Sequence, residues 1–532
     1  MNKMQRVVLI VASIVLAVAN GDSPLRAAAQ YDLISFVVVS PRDNRYFELS
    51  NGSPYVPIGF NLVGPPGEDE FDGLFEVMTA NRINYVRVWL GHADWNVEHA
   101  KALQFDPACA EVIDHFLSLA RKHGIRVKMC LEYFRDIRAE RNRWSDNLIY
   151  HRANGGLYES MHEYLSSARG RDHFKAKLDW YADRYGDEPA VFAWELWNEM
   201  DAVRDSEWLD WTRAMLPELR KRFPRNLAIQ SLGSYDWERK RDSYRTLCLL
   251  EDNDVAQVHR YLDEGAGWEI CHGPVDVLAA HAVREMIAFD AGKPIILTET
   301  GAVKPRHTGC SELYAKDPEG TLLHDMLFAP FFSGAAGPGH VWWWRQAIEE
   351  PNLWHHFARF ARAIEGIDPP AEAFEPVMIP HERLRIYALA GRNTFLAWCR
   401  DAQNDWRTEL LEGRKPETLT DVRIQLQDSR RSERATLRSL DGCAIDGNGS
   451  RRRRHHPVPA PLHCPAHRID DAIHSVSRME DETMSKTQII LAVLILGTAG
   501  CGTLPDGSRW GQDAFTCFDS NRIAKAAKDA FL

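Results

Sequence analysis

The sequence predicts an α/β protein: a (β/α)8 TIM barrel followed by a small β-sandwich that is short for a complete one. Three observations predict it. Between about residues 31 and 370, eight short β-rich runs alternate with longer stretches of helical spacing. The runs are almost continuously apolar, as strands of a parallel sheet covered on both faces must be. Eight such units suit a closed barrel. The alternative, an open doubly wound sheet, would carry a Gly-rich phosphate loop after its first strand, and none is present.

Taken in order, residues 1–29 read as an export signal. Lys3 and Arg6 give a positive start, and the apolar run Val7–Val18 is too short to span a bilayer. Small residues follow, so cleavage falls after Ala19 or Ala29. This predicts a secreted or periplasmic protein, membrane-associated only if this segment or a later one (484–501) serves as an anchor. The barrel, 31–370, takes its strands from PYVPIGFNL (54–62), YVRVWL (85–90), RVKMCLE (126–132), VFAWELWNE (191–199), NLAIQSLG (226–233), DVAQVHRY (254–261), KPIILTETG (293–301) and GHVWWW (339–344). Helical spacing fills the gaps, as in 109–124 and in 274–293, the latter stopped by Gly292. Two units are long: 133–190, rich in Arg, Tyr and His, and 302–338, with Pro305, Gly309, Pro318 and Gly320. Both are candidates for the rim of a cleft.

After IDPP (367–370) the period changes. Residues 384–401 read as two strands about a turn at Gly391-Arg392-Asn393, and 420–428 alternates strictly; together they mark a sandwich-like domain over 371–442. The tail, 443–532, lacks this organisation. RRRRHH (451–456) beside PVPAP suggests disorder. MSKTQIILAVLILGTAGC (484–501) resembles a lipoprotein signal with its lipid-attachment Cys501, which reads either as a fused start of a neighbouring gene after a frameshift or lost stop near 440, or as a C-terminal anchor.

Composition narrows the function. The chain has 532 residues, 26% charged and 45% hydrophobic, with a net charge of −11, which argues against nucleic acid as a partner. Ten Cys show no C-x-x-C pair or metal-like spacing; Cys130 and Cys399 read as buried thiols. Seventeen Trp lean toward sugar-binding platforms. No cofactor and no metal is implied. A metal-dependent hydrolase barrel would need His and Asp at the ends of strands one, four, five and six, but strand one ends in Asn61-Leu62 and strand five in Leu232-Gly233.

Two strand ends carry the chemistry. AWELWNEMD (193–201) ends the fourth strand in Asn198-Glu199, and PIILTETGA (294–302) ends the seventh in Glu299. Barrel enzymes place their chemistry at the C-terminal strand ends, and strands four and seven face each other across the mouth. Two opposed carboxyls suit glycoside hydrolysis: one protonates the leaving oxygen, and the other, at roughly 5–5.5 Å, attacks the anomeric carbon with retention. Their environments must hold the two pKa values apart.

The pattern resembles the clan of retaining β-glycosidases that includes glycoside hydrolase family 5, the cellulase and β-mannanase family. WNE (197–199) resembles its acid/base motif and TETG (298–301) its nucleophile motif. The resemblance implies that Glu199 is the acid/base, Glu299 the nucleophile and Asn198 a donor to the sugar 2-hydroxyl. Arg87 would orient the nucleophile, Tyr261 would bond it, and His259 would lie near the acid/base. Trp342 or Trp344, which alternation puts on one face, would lie under the sugar. The third strand departs from the family: it ends in Leu131-Glu132-Tyr133-Phe134, where Glu132 either meets sugar hydroxyls or pairs with a nearby Arg. The implied activity is endo-acting hydrolysis of a β-1,4-mannan or β-1,4-glucan. An exo-acting β-glycosidase and an inactive carbohydrate-binding protein are the alternatives.

Overall fold

A computed structural model describes residues 34–92, 95–417, 419, 423–427, 432–436, 491–496 and 514–517. The export-like segment 1–29 lies outside these residues, as does most of the tail.

Seven parallel strands and one irregular segment close into a barrel. The strands are β1 (Gly59–Asn61), β2 (Tyr85–Trp89), β3 (Arg126–Glu132), β4 (Val191–Trp197), β5 (Leu227–Ile229), β6 (Ala256–Leu262) and β7 (Ile295–Ala302). β1 to β5 pair in sequence order, as do β6 and β7. The β5–β6 junction is made by Asp254, whose N–H donates to the Ala228 carbonyl at 2.9 Å while its carboxylate accepts from the Ala228 N–H at 2.7 Å. The eighth position is not the strand expected over 339–344. It meets β7 through the backbones of His340 and Trp342, which bond Leu297 and Thr300, and meets β1 through Val341, whose carbonyl accepts from the Asn61 N–H at 3.0 Å. Three Trp in succession do not alternate here, because the chain turns at once into the short helical segment Arg345–Glu349.

A helix follows each position: α1 (Phe71–Ala80), α2 (Pro107–His123), α3 (Ala168–Tyr185), α4 (Trp208–Arg222), α5 (Arg241–Cys248), α6 (Val275–Ile287), α7 (Thr321–Phe331) and α8 (His355–Ala363). Local chemistry sets their ends. The Asp106 side chain caps α2 on the Ala108 N–H, Pro107 opens its first turn, and Gly124 ends it at φ +69°. α6 stops at Ile287, short of the expected Gly292, which takes its own left-handed position (φ +60°) in the turn before β7. The N-terminal mouth is plugged by a three-stranded meander (Val37–Val39, Phe47–Leu49, Pro54–Tyr55), with Phe47, Tyr55 and Tyr85 packed around Phe192 of β4.

Glu375–Met378, Leu384–Ala390 and Phe395–Asp401 form an antiparallel sheet with the expected turn between the last two. Its alternation is two-sided. Tyr387, Leu389, Leu396 and Trp398 join the barrel core, while Ile386, Ala388, Phe395, Ala397 and Cys399 form a second small core with Ile424. Ile424 belongs to a hairpin, Arg423–Gln427 with Ser432–Thr436. From the tail, Leu491–Leu496 lies parallel to Phe395–Asp401, so apolar residues of the signal-like segment 484–501 form a strand.

The sheet is fixed to the barrel by buried charge. Asp276 of α6, fully buried, accepts from Arg385 Nε at 2.6 Å and Nη2 at 3.1 Å and from the Tyr387 hydroxyl at 2.8 Å. Removing one member of such a pair leaves the other uncompensated, at a cost of about 3–5 kcal/mol. Asp276→Ala is expected to lower the melting temperature by several degrees in calorimetry; an unchanged melt would mean that the sheet is held by its apolar face alone.

Candidate active site

The C-terminal strand ends converge on one fully buried side chain, Arg87 of β2. Its Nε donates to Glu195 Oε2 (2.8 Å), Nη1 to Glu299 Oε1 and to Asn61 Oδ1 (3.2 Å), and Nη2 to Asn198 Oδ1 (2.7 Å). A buried guanidinium needs this many acceptors, because an unpaired charge in the interior is very costly. Glu299, at the β7 end, is held on its second oxygen by the Tyr261 hydroxyl of β6 at 2.8 Å. Donors from opposite sides thus fix the carboxylate plane.

Glu199 follows β4 in a left-handed conformation, φ +54° and ψ +59°. A non-glycine residue rarely sits there, and such strain persists only where its surroundings enforce it. The Glu199 N–H donates to Ser231 Oγ (3.1 Å), and its carbonyl accepts from the Ala202 N–H (2.9 Å). The turn aims the carboxyl back over the barrel mouth. There Oε1 lies 3.0 Å from His259 Nδ1, which is also 3.3 Å from Glu299 Oε2. Facing two carboxylates, Nδ1 is the nitrogen that donates; Nε2 is buried with no partner among the described residues. The donor atoms of Glu199, His259 and Glu299 lie within 4.8 Å of one another. These are donor types that a divalent cation also takes, but here both carboxylates are engaged by Arg87, Tyr261, His259 and Arg135.

Arg135, just beyond β3, donates from Nη2 to Glu199 Oε2 at 3.2 Å and from Nη1 to the Asn198 carbonyl. Burial, the largest influence on Glu199, pushes its carboxyl up. The hydrogen bond and charge of His259, then Arg135 and His307, outweigh it and hold the group well below the usual carboxylate range. With these partners Glu199 is ionised.

All the sequence-derived residues except one meet at this mouth. Trp342 is half-buried beside Trp89, at 4.9 Å between ring centres. Trp344 does not join it: it is buried, stacks with Phe60 and donates its indole N–H to the Val63 carbonyl at 3.2 Å. The turn after Val341 breaks the alternation that placed the two rings on one face. Glu132 is buried and paired with Lys177 rather than with an Arg.

Several site residues escaped the sequence reading. Asn61 Nδ2 donates to the Thr298 and His340 carbonyls at 2.9 and 3.1 Å while its Oδ1 accepts from Arg87, tying the barrel closure to the site. Beneath Arg87, Lys128 of β3 lies 3.3 Å from Glu195 and donates to Gln257. Burial pushes Lys128 down to about 8. For Glu195, burial acts upward, but Arg87 and Lys128 outweigh it and hold the carboxyl at about 2. A charge within an otherwise apolar strand, as in VFAWELW and RVKMCLE, was the available signal. Behind β3, Lys177 of α3 joins Glu132, Glu98 Oε2 (2.7 Å) and the Tyr150 hydroxyl (2.8 Å), and His173 Nε2 lies 2.6 Å from Glu98. This cluster pins the long segment after β3.

Comparison with known proteins decides the family. The model for cellulase, glycosyl hydrolase family 5, matches residues 51–319. The chain belongs to glycosyl hydrolase family 5. Among curated members, it is 22% identical over 346 residues to a putative mannan endo-1,4-beta-mannosidase 4 of Arabidopsis thaliana, covering 56% of this chain and 80% of that one. It is 27% identical over 222 residues to mannan endo-1,4-beta-mannosidase F of Aspergillus clavatus, covering 38% and 47%. Among solved structures, the endo-beta-1,4-mannanase from Thermotoga petrophila aligns at 14% identity and a TM-score of 0.44, over 73% of this chain and 86% of that one. As a family 5 member the chain is a glycoside hydrolase of the mannanase-like kind.

The Lys177 cluster gives a prediction. Glu98 is pushed up by burial, but Lys177 and His173 outweigh this and hold it at about 2 against an ordinary 4.5. A lowered carboxyl stabilises the fold above its unfolded pKa and loses that contribution as pH falls through the folded one. Lys177→Met is expected to cost about 3–5 kcal/mol near neutrality. The gap to wild type should narrow between about pH 4.5 and 2 in thermal melts; a pH-independent gap would mean that Lys177 acts by packing.

Proposed function

We propose that this family 5 protein hydrolyses a β-1,4-linked mannan by double displacement, with Glu299 as nucleophile and Glu199 as acid/base. The single observation that carries the reading is the pair itself: two carboxyls from opposed strands with oxygens within 4.8 Å of each other through His259. That spacing is closer to the roughly 5–5.5 Å of retaining enzymes than to the roughly 6.5–9.5 Å of inverting ones. Mannan is preferred over glucan because the curated relatives bear mannan endo-1,4-beta-mannosidase names.

The proposed steps follow from the contacts. Arg87 and Tyr261 aim Glu299 at the anomeric carbon above Trp342. Asn198, its Oδ1 taken by Arg87, keeps its amide N–H for the sugar 2-hydroxyl. Glu199 must be protonated to donate to the leaving oxygen, although its partners favour the ionised form. A bound sugar supplies the change: it displaces water from a side chain still one-fifth exposed, strengthening the burial effect that already pushes this carboxyl upward. Once the glycosyl-enzyme forms, Glu199 is the carboxylate that takes a proton from the attacking water.

Two variants separate the roles. Glu299→Ala should abolish turnover, with azide restoring part of it by replacing the nucleophile. Glu199→Ala should lose most on substrates with poor leaving groups; equal losses on activated and unactivated substrates would remove Glu199 from the acid role. Arg135 gives the pH test. Activity falls as pH rises through the pKa of the acid, and Arg135 stabilises its ionised form. Arg135→Met should therefore move the alkaline limb of kcat/KM upward by about one pH unit, with Arg135→Lys returning part of it. An unmoved limb would show that another group sets it.

A further inference from the structure

Outward from Trp342, the barrel mouth carries aromatic rings that the catalytic geometry does not use. Trp89, at the end of β2, stacks on Tyr133 (ring centres 5.1 Å apart, planes 13° apart), and Tyr133 stacks on Trp144 (5.7 Å, 7°). Burial falls along this wall. Trp89 is buried, Tyr133 half-buried, and Trp144 is 64% exposed.

An indole left in water forgoes a burial worth roughly 1.5–3 kcal/mol. Trp144 nevertheless stands in a tightly bonded loop. Asp146 Oδ2 accepts from the N–H groups of Asn142 and Arg143, both at 2.7 Å. The Arg135 N–H donates to the Ser145 carbonyl (2.8 Å), and Arg141 Nη1 to the carbonyl of Trp144 itself (3.1 Å). The ring is thus presented in a set orientation, one face on Tyr133 and the other toward solvent, on a loop that also exposes Arg141 and Arg143. A β-linked hexose has the matching chemistry: a C–H face that lies on an aromatic ring and a hydroxyl edge that accepts from guanidinium.

We propose that Trp144 floors an outlying sugar subsite, joined through Tyr133 and Trp89 to the position over Trp342. This rests on the glycosidase reading above and deepens it, since a subsite so far out is filled only by a chain of several sugars. The substrate is then a polysaccharide or long oligosaccharide rather than a disaccharide.

The test uses the full chain, β-1,4-glucomannan and an activated aryl β-glycoside. Trp144→Ala should lower kcat/KM on glucomannan, relative to that on the aryl glycoside, by about tenfold, equivalent to about 1.4 kcal/mol. The loss should lie in KM, and Trp144→Phe should recover much of it. In native gels containing glucomannan, Glu299→Ala should be retarded and the double variant Glu299→Ala/Trp144→Ala should not. Equal KM values and equal mobilities, or no retardation of either protein, would overturn the subsite. Failure of the wild type to cleave the aryl glycoside would sink the catalytic reading instead, and the gel comparison, which needs no turnover, would still decide the subsite.

Discussion

A positive charge buried at the centre of the barrel organises the site. Arg87 has no access to water, so its stability depends on acceptors, and the strands around it supply them: Asn61 from β1, Glu195 from β4, Asn198 just after it, and Glu299 from β7. Each of these groups then has little freedom. The proposed nucleophile is aimed because the arginine needs it, and the arginine is held because Glu195 and Lys128 continue the charge alternation below. Burying several charges together is tolerable only when each finds its partner, so geometry and electrostatics constrain each other here.

The second constraint comes from outside the barrel. The segment between β3 and α3 is long, and its root is fixed by Lys177 between Glu98 and Glu132. Glu132 also uses its backbone carbonyl to accept from the Asn198 N–H at 2.8 Å, so the same residue anchors the insertion and the turn that carries Glu199. From this base the segment sends Arg135 to Glu199 and Trp144 to the surface. The long segment after β3 thus reaches both the catalytic mouth and the surface.

The antiparallel sheet after residue 370 takes no part in the mouth. It packs on α6 and α7 and meets them through Asp276 with Arg385 and Asp325 with Arg400. Its apolar residues divide between the barrel core and a second small core, so the sheet needs a layer on each side, and Ile424 supplies part of the outer one.

The sequence by itself determined the barrel, seven of its strands and the two carboxyls, because these depend on local signals: apolar runs of strand length, helix caps, and a Glu where a strand ends. Arg87, His259 and Tyr261 were legible only through the resemblance of their strand ends to family 5 motifs. What the sequence could not decide depends on which distant groups meet. Periodicity put Trp342 and Trp344 on one face, yet a turn after Val341 separates them, because the chain enters the helical segment Arg345–Glu349 as soon as the eighth segment has met β1 and β7. Glu132 was ambiguous until α3 brought Lys177 to it. The ionisation of Glu199 followed neither from its motif nor from its burial. It was decided by His259, Arg135 and His307, side chains 60, 64 and about 108 positions away in the chain, which only the closed barrel brings within reach of one carboxyl.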